Sequence, residues 1–230
     1  MNYFEESTTV NYEVGLRKHT LAVYNYMFTG LSITALVSWL CMNTSLGSFF
    51  YEQTLEGMSL TILGWVALLA PFAIIFLFGK ALNEGRSDSA KNLFWLMAAL
   101  YGISLTPIFL VYTGASITKA FVVSAVTFGG MSLYGYTTKK DLTNWGSLLF
   151  VALIAIIVAS IFNMFMGSPL MDYIITIGGI VVFMGLIAYD TQKMKDEYSQ
   201  GVSPLSSALS LYLDFINLFL FILKLVGSRD

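Results

Sequence analysis

Charge is what this sequence has least of. Only 11% of its 230 residues are Asp, Glu, Lys or Arg, and 57% are hydrophobic. A soluble domain carries about 25% charged and about 45–50% apolar residues. That balance excludes a water-soluble fold, and the stretches between apolar runs are too short to form a soluble domain. Cys41 is the lone cysteine, so no disulfide can close within the chain; a single Cys in a span is ordinarily a small apolar residue. His19 is the lone histidine. This rules out a multi-histidine metal centre in one chain and leaves no convincing partner for a Ser–His dyad. The net charge is −2, so nothing favours nucleic acid as a partner.

Long apolar runs fill the rest. About 20 such residues cross a bilayer. By that rule, spans are expected near residues 21–42, 60–79, 93–113, 119–137, 146–166, 170–190 and 205–226, with no internal repeat between them. A span must satisfy its own backbone in lipid, and strand-like alternation is absent, so the expected fold is all-α. Residues 1–20 are polar, with Glu5, Glu6 and Glu13 before Arg17 and Lys18. A signal peptide would begin basic and reach its apolar core sooner, so this stretch reads as a cytoplasmic tail before one transmembrane domain, 21–230. Arg17, Lys18, Lys80, Arg86, Lys91, Lys139, Lys140, Lys193 and Lys195 all fall on one side if the spans alternate. The positive-inside rule then puts the N-terminus in the cytoplasm. Seven full crossings leave the C-terminus, with Lys224 and Arg229, outside; a re-entrant last segment would bring it back.

The stretch from Ser206 to Leu223 organises the reading. It is apolar enough to span, yet it holds Asp214 near its middle. A charge there costs roughly 2.5–3.5 kcal/mol even on the forgiving insertion scale, and such residues are usually functional. Ser207, Ser210, Asp214 and Asn217 recur at i, i+3, i+7 and i+10 and share one helical face. Leu209, Leu213, Ile216 and Leu220 lie opposite, which predicts a polar stripe toward protein or water and an apolar stripe toward lipid. A second acid, Asp190, follows the apolar run Tyr173 to Tyr189 and is expected near the cytoplasmic end of the sixth span. It either caps that helix in water or, if the helix continues a turn, comes within reach of Asp214. Two carboxyls in a dry site cannot both ionise cheaply. They would share a proton and titrate as a unit. With the proton gone, Asp190 and Asp214, beside Ser and Asn oxygens, are a candidate Ca2+ site.

Other features read as packing or surface. Gly178, Gly179, Gly129, Gly130 and Gly135 let backbones approach. Pro71 and Pro107 would kink their helices, with Ser104 and Thr106 able to bond the freed carbonyls. Trp39, Trp95 and Trp145 suit an interfacial aromatic belt. Glu52, Glu56 and Asp172 read as solvated surface acids that at most attract cations.

The motifs AYDTQ (188–192) and SLYLDFINLF (210–219), with the interval between their aspartates, resemble the Bax inhibitor motif family of membrane proteins. GISLTPIF (102–109), Lys139-Lys140-Asp141-Leu142 and IFN (161–163) match it in order. The overall shape is similar to the family's small bacterial members. The resemblance covers most of the chain after about residue 90; the tail and first span match only in character. It implies a seven-transmembrane-helix bundle with a central C-terminal helix wrapped by the other six. It also implies a pH-responsive calcium leak whose sensor is the acid pair Asp190 and Asp214, engaged by a basic residue at the end of the second helix. Lys80 and Arg86 both stand at that place. If Lys80 serves, a point charge replaces the family's planar guanidinium.

The leading expectation is therefore a pH-sensitive Ca2+ leak channel in a bacterial inner membrane. It would be no enzyme and need no cofactor, with lipid, protons and Ca2+ as its partners. The alternative is a regulatory protein that binds a membrane protease or quality-control complex without transport of its own. An intramembrane aspartyl protease fits less well, because Asp214 lacks a GxGD context and no Pro-Ala-Leu motif follows it. A proton-coupled carrier lacks the inverted repeats that would support it.

Overall fold

The computed structural model describes residues 3–54 and 57–228, with side chains from residue 11 onward. Of the residues discussed above, the side chains of Glu5 and Glu6, and Glu56 and Arg229 entirely, lie outside the described part. The order of elements is α1 (Tyr3–Asn43), a 3-10 turn (Ser45–Phe49), β1 (Tyr51–Thr54), β2 (Gly57–Leu60), α2 (Ile62–Asn83), α3 (Ser87–Leu105), α4 (Ile108–Val111), α5 (Gly114–Thr137), α6 (Thr143–Met166), α7 (Pro169–Ser199) and α8 (Pro204–Val226). Among the described residues, seven helical stretches are long and apolar enough to cross a membrane: Asn11–Asn43, Ile62–Asn83, Ser87–Val111, Gly114–Thr137, Thr143–Met166, Pro169–Ser199 and Pro204–Val226. The chain is an all-α membrane bundle.

Three features depart from the sequence reading, and the last segment keeps to it. The polar tail is helical and continuous with the first span. A short antiparallel hairpin, β1 with β2 in register Tyr51 to Leu60, precedes α2. The last segment is one unbroken helix of 23 residues, long enough for a full crossing. Finally, α7 runs nine residues past Asp190, to Ser199. Its polar end, DTQKMKDEYSQG, looks like a loop by composition. It stays helical because Met194 is fully buried, Lys193 pairs with Glu197 one turn on (3.5 Å), and Gly201 at φ 69° closes the end. There the Val202 and Gly201 N–H groups donate to the Glu197 and Tyr198 carbonyls, a Schellman cap.

The chain forms two compact units. One holds Leu21–Val111 with Ser203–Leu209; the other holds Met1–Thr20, Tyr112–Val202 and Ser210–Asp230. In the first, α2 packs along α3 and the prolines account for the polar contacts. Proline has no N–H for the carbonyl four residues back. For Pro71 that carbonyl is Ala67 O, which accepts a long bond from Ser104 Oγ (3.5 Å). For Pro107 it is Ile103 O, which accepts from Tyr51 Oη (2.5 Å) and Thr106 N. Pro71 is carried inside α2, whereas at Pro107 α3 stops and α4 restarts. Ser104 thus does what the sequence suggested. Thr106 instead bonds Gly102 O within its own turn, and the hairpin tyrosine, which no pattern flagged, anchors the break.

Burial pushes the Tyr51 hydroxyl up to about 12. The fold therefore favours the protonated phenol. That contribution is complete below the ordinary tyrosine value of about 10 and is lost as pH rises through the folded value. Tyr51→Phe is expected to cost about 1 kcal/mol at neutral pH and to flatten the alkaline fall of the thermal midpoint. An unchanged midpoint and an unchanged alkaline limb would show that the anchor contributes nothing.

In the second unit, α5 and α6 pack on α7. Gly135 on α5 meets the backbone of α7 directly: a Cβ there would collide with Ala188 O and sit 2.9 Å from Ala188 Cα. Gly179 receives the Phe221 ring of α8, 2.6 Å from the same hypothetical Cβ. Gly129 and Gly130 have nothing within 4 Å and Gly178 has only Ile156 at 4.0 Å, so these three are not close-packing positions. Large apolar side chains of α6 such as Leu148, Phe150, Phe162 and Phe165 are exposed, as lipid-facing residues are. Trp39 and Trp145 are exposed too, while Trp95 packs against Tyr26 and Phe94.

Candidate functional site

The site forms where α7 and α8 lie level. From Asp190 to the end of α7 is nine residues, about 14 Å of helix, and from Pro204 to Asp214 is ten, about 15 Å. Only Gln200–Ser203 join the two helices. The extension of α7 therefore sets the register that brings the two acids together. Asp190 is partly buried and Asp214 is 5% exposed. The two carboxyls lie within interacting reach of one another. An ionised carboxylate only accepts, so a hydrogen bond between them requires a proton on one of the two. Asp214 Oδ2 is buried with no partner. A buried acceptor left unpaired costs about 1–3 kcal/mol, and natural structures keep few of them. Asp190 therefore does not cap a helix end in water; it lies inside a helix and faces a second acid.

The AYDTQ segment is built into the same place, residue by residue. Ala188 lies under Gly135, and the Tyr189 ring lies against Gly146 of α6. Thr191 is fully buried, with a long contact to Ser132 on α5 (3.4 Å). Gln192 Oε1 accepts from Leu142 N (2.7 Å) and its Nε2 donates to Lys140 O (2.8 Å). One amide thus clamps the α5–α6 connection onto α7. In that connection Thr143 donates to Asp141 (2.8 Å for its N–H). Its hydroxyl and N–H together hold the Asp141 carboxyl below the usual carboxylate range. Lys195 donates to Tyr136 O (3.0 Å) and lies over the Tyr136 ring. Lys193 and Glu197 are the charges that act on Asp190, one and two turns along its own helix.

The other expected residues are placed differently. Ser207 is buried, Ser210 and Asn217 are partly buried, and Asn217 Nδ2 donates to Leu213 O of its own helix (2.8 Å). Of the apolar stripe opposite, Leu209 and Ile216 are buried (8% and 3% exposed), while Leu213 and Leu220 are partly buried. Half of the apolar window of α8 is buried, against 6% for α6. A helix that is apolar around most of its circumference is buried on most sides, and the polar stripe is one sector of that enclosed surface. Lys80 and Arg86 share Glu84, at 3.9 Å and 2.5 Å, all three well exposed. Asp172 is not a free surface acid: at the start of α7 it pairs with Lys224 near the end of α8 (2.5 Å). Glu52 accepts from Ser59 across the hairpin (3.3 Å). Among the described residues, no group of three or more His, Cys, Asp or Glu side chains is placed to hold a metal ion. Any cation at the pair would rest on two carboxylates.

A seven-helix membrane protein with two acids set against one another on its last two helices is what this fold and site define. The profile described as "Inhibitor of apoptosis-promoting Bax1" matches residues 16–230, and the chain belongs to this family, the Bax inhibitor motif family. It is 38% identical to inner membrane protein YbhL of Escherichia coli (strain K12) over 239 aligned residues, covering the whole of both chains. It is 38% identical to the uncharacterized protein RP147 of Rickettsia prowazekii, covering all of this chain and 99% of that one. An uncharacterized protein of Caulobacter vibrioides is 39% identical over 94% of this chain and 91% of its own.

Proposed function

We propose that this protein is a pH-sensitive leak pathway for Ca2+, and not an enzyme, in a bacterial inner membrane. The observation that carries the reading is the interacting pair Asp190 and Asp214, with Asp214 Oδ2 buried and unpaired. Structural packing has no need of that arrangement: a well-packed apolar pair is often as stable or more so. A group that gains or loses one proton and so changes the fit of two helices is a switch. With the proton shared, α7 and α8 are held together. Without it, two negative charges face each other in a site of low dielectric, and the helices are pushed apart. The same two carboxylates are then hard oxygen ligands that attract a divalent cation along the path. The name of the YbhL relative supports the inner membrane, and the nine basic residues on one side support a cytoplasmic N-terminus.

The test is Ca2+ flux into liposomes that hold only this protein, followed from acid to neutral pH. Flux above that of empty liposomes, varying with pH, is the expected result. No flux at any pH would overturn the reading and favour a regulatory protein that binds a membrane protease complex, to be sought by co-purification.

A further inference from the structure

His19 is a buried titratable group of the second unit that the acid pair does not use. It lies in the helical N-terminal segment, which docks on the last turns of α7. Tyr12 Oη bonds Ser199 Oγ (2.9 Å), and the Tyr12 and His19 rings lie 5.3 and 5.4 Å from the Tyr198 ring. Gly15 leaves room for the Tyr198 hydroxyl. His19 is only 9% exposed, and its Nε2 is buried with no hydrogen-bond partner. From α7 the Tyr198 ring lies against it, and the neighbouring Glu197 carboxylate acts on it electrostatically. On its own helix, Arg17 and Lys18 are exposed.

We infer that His19 and Glu197 form a second proton-binding site, coupled through Lys193 to the acid pair. Lys193 pairs with Glu197 at 3.5 Å, and both act on Asp190. The three side chains lie at 190, 193 and 197, one face of α7. A proton taken by His19 Nε2 turns the ring into imidazolium and draws Glu197 toward it. Lys193 is then released from Glu197 and is left to Asp190, where it favours the ionised acid. Protons at the two sites oppose one another, and by linkage the effect is reciprocal. The site itself stands without any transport; its effect on flux rests on the reading proposed above.

A chain with one histidine gives one imidazole signal. Full-length protein labelled at histidine and held in lipid nanodiscs reports the His19 titration directly by NMR. Glu197→Gln is expected to lower its midpoint by roughly half a pH unit or more. Lys193→Gln, at an exposed position, is expected to raise it. Asp190→Asn is expected to lower it by less than Glu197→Gln does. A midpoint that stays put in Glu197→Gln or Lys193→Gln overturns the site, and one that stays put in Asp190→Asn overturns its coupling to the pair. Moving midpoints in a protein that carries no flux would sink the leak and leave this inference standing. Fixed midpoints with pH-sensitive flux would do the reverse.

Discussion

Asp214→Asn is expected to leave Ca2+ flux the same at every pH, at the level the wild type reaches in acid. The asparagine amide has almost the shape of a protonated carboxyl, and its NH2 donates to Asp190 as the shared proton does. The contact between α7 and α8 then persists whatever the pH, because the donor no longer titrates. In the wild type a one-proton switch changes its populations by about tenfold per pH unit on the titrating side, so the loss is large. Asp214 is 5% exposed and takes no other partner at Oδ2, so the exchange leaves its surroundings in place. A variant whose flux still follows the wild-type pH profile would put the sensor elsewhere.

The second large effect is expected at Gly135. A valine there places its Cβ inside the space of the Ala188 carbonyl. The neighbour is backbone, so no rotamer change relieves the clash, and α5 must move off α7. Overpacking of this kind costs about 3 kcal/mol. Ala188 is two residues from Asp190 and Thr191 contacts α5 at Ser132, so the displacement reaches the acid pair. The variant should melt well below the wild type and respond weakly to pH, with both acids intact. Gly129→Val, at a position with nothing within 4 Å, is the control and should behave as wild type. Equal stability of the two variants would mean that α5 does not lock the position of Asp190.

Sequence patterns made the fold visible because lipid imposes a simple rule: backbone groups are satisfied within a helix, and apolar length gives the span. Asp214 was legible for the same reason, since a mid-span acid violates that rule. Asp190 was legible as a residue but not in its setting. The polar run after it masks a helix held by a buried Met194, the Lys193–Glu197 pair and the Gly201 cap, and the i+3 and i+7 positions from Asp190 gain meaning only once that helix is known. The two faces of α8 were half legible. Periodicity found the polar stripe, but it cannot tell lipid from protein as the neighbour of Leu209 or Ile216, because the two are equally apolar. The glycines were least legible. Gly129, Gly130 and Gly135 look alike in sequence, and only the path of α7 singles out Gly135. His19 seemed idle because its partners, Glu197 and Tyr198, lie far along the chain.

The most direct test of one shared proton as the control of flux is an infrared titration of the carboxyl C=O band in the same proteoliposomes used for Ca2+ flux. A band from a buried protonated carboxyl that disappears with a midpoint equal to that of the flux, and that is missing in Asp214→Asn, is the result this account predicts. A band that persists in Asp214→Asn, or a midpoint that differs from that of the flux, would contradict it.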